Sequence, residues 1–127
     1  MKIRGLLLRE SLKSGQVPDA WQGYVTHRYT HLLGGVEPVE VVVLMLPPAE
    51  LSDTCMSIAM ALKPTRYYAH FVTDSCLYVI FPYSINIVPR EDAGAAERCR
   101  QVGTMFGIPL EQMKFEALFE VDHPNSH

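Results

Sequence analysis

The sequence predicts an α+β domain, with an antiparallel-rich sheet and two main helices on one face of that sheet. Three observations carry this prediction: apolar runs of strand length, two segments with helical periodicity, and glycines and prolines between them. From residue 39 onward the predicted order is strand, helix, strand, strand, helix and an optional last strand. That order is a ferredoxin-like βαββα(β) core, to which an N-terminal strand or hairpin is added.

The N-terminal part supplies two predicted strands. Residues 3–9 hold a short apolar run, Leu6–Leu8, close to charged residues on both sides, which predicts the first strand. Residues 24–32 are rich in Tyr, Val and Thr, which favours a second strand. Their apolar residues also match a helical stripe that would begin near Pro18 and end before Gly34, so a helix is the alternative.

Residues 39–46 form the clearest predicted strand, because all of them except Glu40 are apolar. The strand follows a Gly-Gly turn and stops at a Pro-Pro pair, whose second proline suits the first turn of a helix. Apolar residues then recur at the spacing of one helix face, which predicts a helix over residues 49–63.

A predicted hairpin follows this first helix. Residues 66–73 and 76–81 are its two strands, joined at Asp74 and Ser75. Residues 85–88 extend or follow the second strand.

The C-terminal part begins with the second predicted helix, over residues 92–106, which Gly107 terminates. Residues 114–121 then alternate between apolar and charged side chains, which allows a last strand. A short helix through Leu118 is the alternative for the same residues.

Composition and charge exclude several classes of protein. The chain has 127 residues, of which 48% are hydrophobic and 20% charged, as is ordinary for one globular domain. A net charge of −3 gives no basic surface for nucleic acid. The apolar runs are shorter than the roughly 20 residues that span a bilayer, so we expect no membrane partner. We expect a single domain over residues 1–121 and a flexible C-terminal tail over residues 122–127.

The cysteines indicate the compartment. Cys55, Cys76 and Cys99 form no C-x-x-C or C-x-x-H pair, so the sequence predicts neither a zinc site nor a redox dithiol. A sparse, odd set of cysteines and the lack of a signal-peptide pattern favour the cytoplasm. We expect no cofactor, and we interpret Cys55 and Cys99 as small apolar filler on their helices.

Two histidines, His27 and His31, stand four residues apart, a spacing that on a helix would let them share a metal ion. On a strand the same spacing separates them by roughly 13 Å. A metal requires both nitrogens within about 2.1 Å. Because a strand is favoured here, we expect no metal.

Tyr68, His70 and Tyr78 are the candidate ligand-binding residues. We interpret the alternation along the two hairpin strands as placing all three on the sheet face away from the helices. A neutral imidazole and two phenols there would orient a small polar ligand, and a histidine can move a proton near pH 7. The alternative is that these side chains pack against a dimer mate.

No catalytic signature is present, and no residue is assigned a catalytic role. We therefore expect a noncatalytic homodimeric binding or interaction module. The expected homodimer follows from the predicted bare sheet face, which needs cover. The alternative is a small enzyme or small-molecule binder that uses the His- and Tyr-lined sheet face at a dimer interface. The ferredoxin-like pattern itself implies no particular activity.

Overall fold

A six-stranded antiparallel sheet forms the centre of the protein in a computed structural model, which describes residues 2–124. The strands are β1 (Ile3–Leu8), β2 (Val25–Leu33), β3 (Glu37–Leu46), β4 (Ala69–Val72), β5 (Cys76–Phe81) and β6 (Ser84–Pro89). Their order across the sheet is β2-β3-β1-β4-β5-β6, so β2 and β6 are the two edges. The predicted strand over residues 24–32 is thus confirmed as β2, and its helical alternative is wrong.

Three α-helices and several short 3-10 helices connect or cover the strands. The α-helices are α1 (Asp19–Gln22), α2 (Leu51–Ala61) and α3 (Ala93–Met105), and both predicted long helices are therefore confirmed. Near the C-terminus, two 3-10 helices span Leu110–Gln112 and Phe115–Phe119. The last strand allowed over residues 114–121 does not form, and the short-helix alternative describes this segment correctly.

The two long helices pack on opposite faces of the sheet, so the prediction that they share one face is wrong. On the α2 face, the core includes Ile3, Leu7, Val42, Leu44, Leu46, Leu51, Cys55, Ile58, Ala59, Phe71 and Ile80. On the α3 face, it includes Leu77, Val79, Phe81, Val88, Ala95, Ala96, Cys99, Ile108, Met113, Phe115 and Leu118, and a smaller cluster of Leu6, Val41 and Val43. Because consecutive strand residues point to opposite faces, Val79 and Ile80 belong to different layers. Each layer is completed by one helix and loop residues of the same chain.

The predicted ferredoxin-like arrangement is not confirmed. The N-terminal strand β1 lies between β3 and β4 and pairs antiparallel with both. β3 and β4 are therefore parallel to each other, and the connection through α2 crosses over β1 on the α2 face. The prediction of an α+β domain with an antiparallel sheet is confirmed. The N-terminal strand β1, however, lies in the centre of this sheet and is not an addition at its edge.

The segment after α3 runs back across the α3 face. Arg100 of α3 forms a two-pronged ion pair with Glu116, with its shortest nitrogen–oxygen distance at 2.6 Å, and this holds the second 3-10 helix against α3. Residues 120–124, which we call the C-terminal strap, continue toward β1 and β2. The first part of the predicted flexible tail, residues 122–124, thus contacts the sheet. Residues 125–127 of that prediction lie outside the described residues.

Among the helices of residues 2–124, none has both the length and the apolar character required to cross a membrane.

Candidate functional site

A cavity lies beneath the C-terminal strap on the α3 face of the sheet. Its volume is about 130 Å³, and it opens to solvent on one side. The lining comes from β1, the end of β2 and the turn after it, β3, β4 with the residues leading into it, and the chain after α3: Leu6, Leu7, Leu8, His31, Leu33, Gly34, Val41, Arg66, Tyr67, Tyr68, His70, Gln112, Leu118, Asp122, His123 and Pro124. The cavity therefore forms where α3 no longer covers the sheet.

The floor of the cavity is apolar. Leu6 and Val41 are buried on neighbouring strands, and Leu8 packs beside them. Leu118, which belongs to the second 3-10 helix and is 5% exposed, adds another apolar side chain to the lining of the cavity. A ligand that reaches the floor thus meets mostly hydrocarbon, which favours an apolar body.

His70 is the buried polar side chain in this cavity. It lies opposite Leu6 in the pairing of β1 with β4 and is only 6% exposed. Within residues 2–124 no group donates to or accepts from its ring. No side-chain nitrogen of the described chain is both fully buried and unpaired, so the His70 nitrogens remain reachable from the cavity. His70 is therefore a largely buried hydrogen-bonding group that has no partner among the described residues.

The charge state of His70 follows from its surroundings. Burial lowers the pKa of the imidazole to about 4, and the nearby positive charges of His123 and Arg4 act in the same direction. Asp122 opposes them without reversing the shift. At neutral pH the ring is uncharged and offers one N–H donor and one nitrogen acceptor.

Tyr68 forms a fixed wall beside His70. Its hydroxyl donates a hydrogen bond of 2.6 Å to the backbone carbonyl of Gln112, and its ring meets Phe115 edge-on at 5.5 Å. Burial, followed by the influence of Cys99, raises the pKa of Tyr68 above its usual value. This phenol therefore remains protonated and engaged with the protein.

An ion pair fastens the strap over the cavity. Arg4 of β1 contacts both carboxylate oxygens of Asp122, at 2.5 and 3.4 Å. Burial alone would raise the pKa of Asp122, but its hydrogen bond to Arg4 and the charges of Arg4, His70 and His123 hold that pKa below its usual value. Arg4 and Asp122 thus satisfy each other and leave no free charge for a ligand.

A second contact of the strap is aromatic. The ring of His123 stacks on His31 with 3.9 Å between centroids, and its Nε2 shares a hydrogen bond with the hydroxyl of Tyr29. Burial, and then the proximity of His31, lowers the pKa of His123. Tyr29 and His31 both point to the α3 face because they are two residues apart on β2. The folded protein therefore favours the neutral form of His123.

Tyr78 does not belong to this site, and the expectation that it shares a sheet face with Tyr68 and His70 is wrong. In the β4–β5 hairpin, Phe71 pairs with Tyr78, whereas His70 pairs with Val79. Paired residues point to the same face, so a shift of one residue sends Tyr78 to the α2 face. There it lines a separate groove beside α2.

The structure also places the two histidines and the two helix cysteines that the sequence analysis considered. His27 and His31 lie on a strand, and within residues 2–124 no group of three or more His, Cys, Asp or Glu side chains is placed to hold an ion. Burial raises the pKa of both the Cys55 and the Cys99 thiol to about 12. Both thiols are therefore protonated at neutral pH and are poor nucleophiles.

Arg4, Asp122 and His123 belong to the site but were not predicted from the sequence. Arg4 and Asp122 are 118 positions apart, and local periodicity carries no signal for such a contact. His31 was considered only as a metal ligand, although its period-two spacing with Tyr29 indicates one shared face.

Comparisons with known proteins add no assignment: no protein-family model, curated protein or solved structure matches this chain.

Proposed function

We propose that this protein is a noncatalytic binding module for a small, uncharged molecule that has an apolar body and one hydrogen-bonding group. The observation that carries the proposal is His70, a 6%-exposed imidazole that lines an apolar cavity and has no partner among residues 2–124. The His70 nitrogens face the cavity and not a protein group of the described chain, so a ligand in the cavity can hydrogen-bond to the imidazole in place of water.

The volume of the cavity accommodates about one ring of a ligand. A cavity of about 150 Å³ lined by aliphatic side chains accommodates benzene, and the volume here is about 130 Å³. The walls also disfavour a charged ligand, because burying an unpaired charge is costly and Arg4 and Asp122 already neutralise each other. Phenol fits these limits and serves as the probe.

Binding is favoured over catalysis by the same residues. A general base works best when its pKa is near the working pH, and the pKa of His70 is about 4. The hydroxyl of Tyr68 donates to the Gln112 carbonyl and is not free to donate to a substrate. The alternative of a small enzyme built on these two residues therefore has the weaker support.

A titration with phenol, followed by amide and methyl NMR shifts, tests the proposal. We expect saturable binding with a Kd of about 1 mM, since about 4 kcal/mol is typical of such a small ligand. The shift changes should cluster around Leu6, Leu8 and Leu118. In His70→Leu, phenol binding should weaken about tenfold, because one hydrogen bond to a buried partner is lost.

Two controls separate the hydrogen bond from simple filling of the cavity. Toluene, which cannot hydrogen-bond, should bind His70→Leu at least as well as it binds the wild-type protein. His27→Leu changes an exposed histidine on the same sheet face and should leave phenol binding unaltered. Equal phenol affinity in the wild type and His70→Leu would refute the role of His70, and shift changes scattered over the surface would refute the site.

A further inference from the structure

We propose that two copies of this chain associate through the edge strand β6, so that their sheets join into one. The homodimer expected from the sequence would then use this edge instead of the sheet face that bears His70. That face is already covered by α3 and the C-terminal strap of the same chain.

The hydrogen-bonding groups at this edge follow from the pairing of β5 with β6. Just beyond the two strands, the amide of Arg90 donates to the carbonyl of Ser75. The residues of β6 that bond to β5 are therefore every second residue before Arg90, namely Val88, Asn86 and Ser84. Ile85 and Ile87 alternate with them. Their N–H and C=O groups therefore point outward, away from the sheet, and no strand within residues 2–124 pairs with them.

The same two residues also expose apolar side chains. Ile85 is 37% and Ile87 55% exposed, and both lie on the α2 face beside a groove of α2. On α2, Met56 and Met60 are exposed by 61% and 62% and extend this surface. Exposed apolar surface next to an open strand edge is the combination that favours strand pairing with another chain.

The other edge of the sheet, β2, is protected in the ways that proteins commonly use. It has a bulge between Val25 and His27 and carries the charged side chain of Arg28, which pairs with Glu40. By contrast, the pairing of β6 is regular over its whole length and none of its residues is charged. Its one proline, Pro89, lacks an N–H but lies at the end of the strand, beyond Ile85 and Ile87. The β6 edge at these two isoleucines is therefore less protected against strand pairing than the β2 edge.

A second copy is the occupant because this edge is complementary to itself. We place a two-fold axis at Asn86. The outward N–H and C=O groups of Ile85 in one copy then face those of Ile87 in the other copy, and Ile87 of the first copy faces Ile85 of the second in the same way. The four isoleucines then form one apolar row on the α2 face. Each chain carries a net charge of −3, so an uncharged strand is where two copies meet with the least repulsion.

Sedimentation velocity of the full chain, from about 5 µM to about 1 mM, tests this association in the range expected for a small interface. We expect a concentration-dependent dimer. Ile87→Lys should weaken it at least tenfold, because a charge on the edge opposes strand pairing. Leu32→Lys is the matched control: it adds the same charge at a residue of similar exposure, 51%, on β2, and should leave the dimer intact.

Amide hydrogen exchange identifies the surface independently. The amides of Ile85 and Ile87 should gain protection as the protein concentration rises, whereas those of Asn86 and Val88, which face β5, should be protected throughout. A monomer at all concentrations would overturn the proposal. So would a dimer that Ile87→Lys leaves intact, or one that forms without protection of these two amides.

Discussion

The stability of this protein should fall steeply in mild acid because of His70. The folded-state pKa of this imidazole is about 4, below its usual 6.5, because the ring is buried. The neutral ring is thus favoured in the folded state. Its contribution to stability is complete above about pH 6.5 and is lost as the pH falls toward 4.

The size of the effect follows from the difference between the two pKa values. Each pKa unit corresponds to about 1.4 kcal/mol. Protonation of His70 should therefore destabilise the fold by about 2 kcal/mol at about pH 5 and by about 3 kcal/mol at about pH 4. That loss is a large fraction of the 5–15 kcal/mol typical of a domain's free energy of unfolding.

Urea unfolding at several pH values, in wild-type protein and in His70→Gln, measures this contribution. The glutamine does not titrate, so the pH dependence of the wild type should exceed that of His70→Gln by the amounts given above. His27→Gln, at an exposed position on the same sheet face, should retain the full wild-type pH dependence. Parallel curves for the wild type and His70→Gln would refute the assignment of a buried, neutral His70.

Two further predictions concern packing and hydrogen bonding near the centre of the sheet. Gly5→Ala should destabilise the protein by about 1–3 kcal/mol, because the new Cβ would lie 2.2 Å from the ring of Phe71. Gly23→Ala is its control, since φ is −66° there and no atom lies within 4 Å, and its stability in urea should change by less than about 1 kcal/mol. Tyr68→Phe should cost about 1 kcal/mol through loss of the hydrogen bond to Gln112, and unchanged unfolding in urea would contradict that contact.

Local patterns predicted the elements of this fold well but not their arrangement. The strands and helices follow from short-range periodicity, so β3, α2 and α3 lie close to where the sequence predicts them. Their layering depends on which sheet face each helix covers. The apolar stripe of α3 predicts that this helix packs against a sheet, but the stripe would be buried equally well on either face of that sheet. The position of β1 between β3 and β4 likewise depends on pairings distant in sequence.

The candidate site was predicted in part. Tyr68 and His70 line the same cavity because they are two positions apart at the start of β4, and this much follows from the sequence. The prediction for Tyr78 is wrong because the sheet face of this residue depends on the register of the β4–β5 hairpin. A shift of the register by one residue moves the side chain to the other face of the sheet. The strap contact of Asp122 with Arg4 comes from polar residues with no periodic signal, so only the folded chain reveals it.

Measurement of NOEs between phenol and the methyl groups of the labelled protein tests ligand binding beneath the strap most directly. With phenol added to near saturation, we predict NOEs from its ring protons to Leu6, Leu8 and Leu118, and to the ring of His70. These residues come from β1, β4 and the chain after α3, and they meet only around this cavity. NOEs confined to exposed side chains such as Met56, or none at a concentration that saturates the shift changes, would contradict the proposed function.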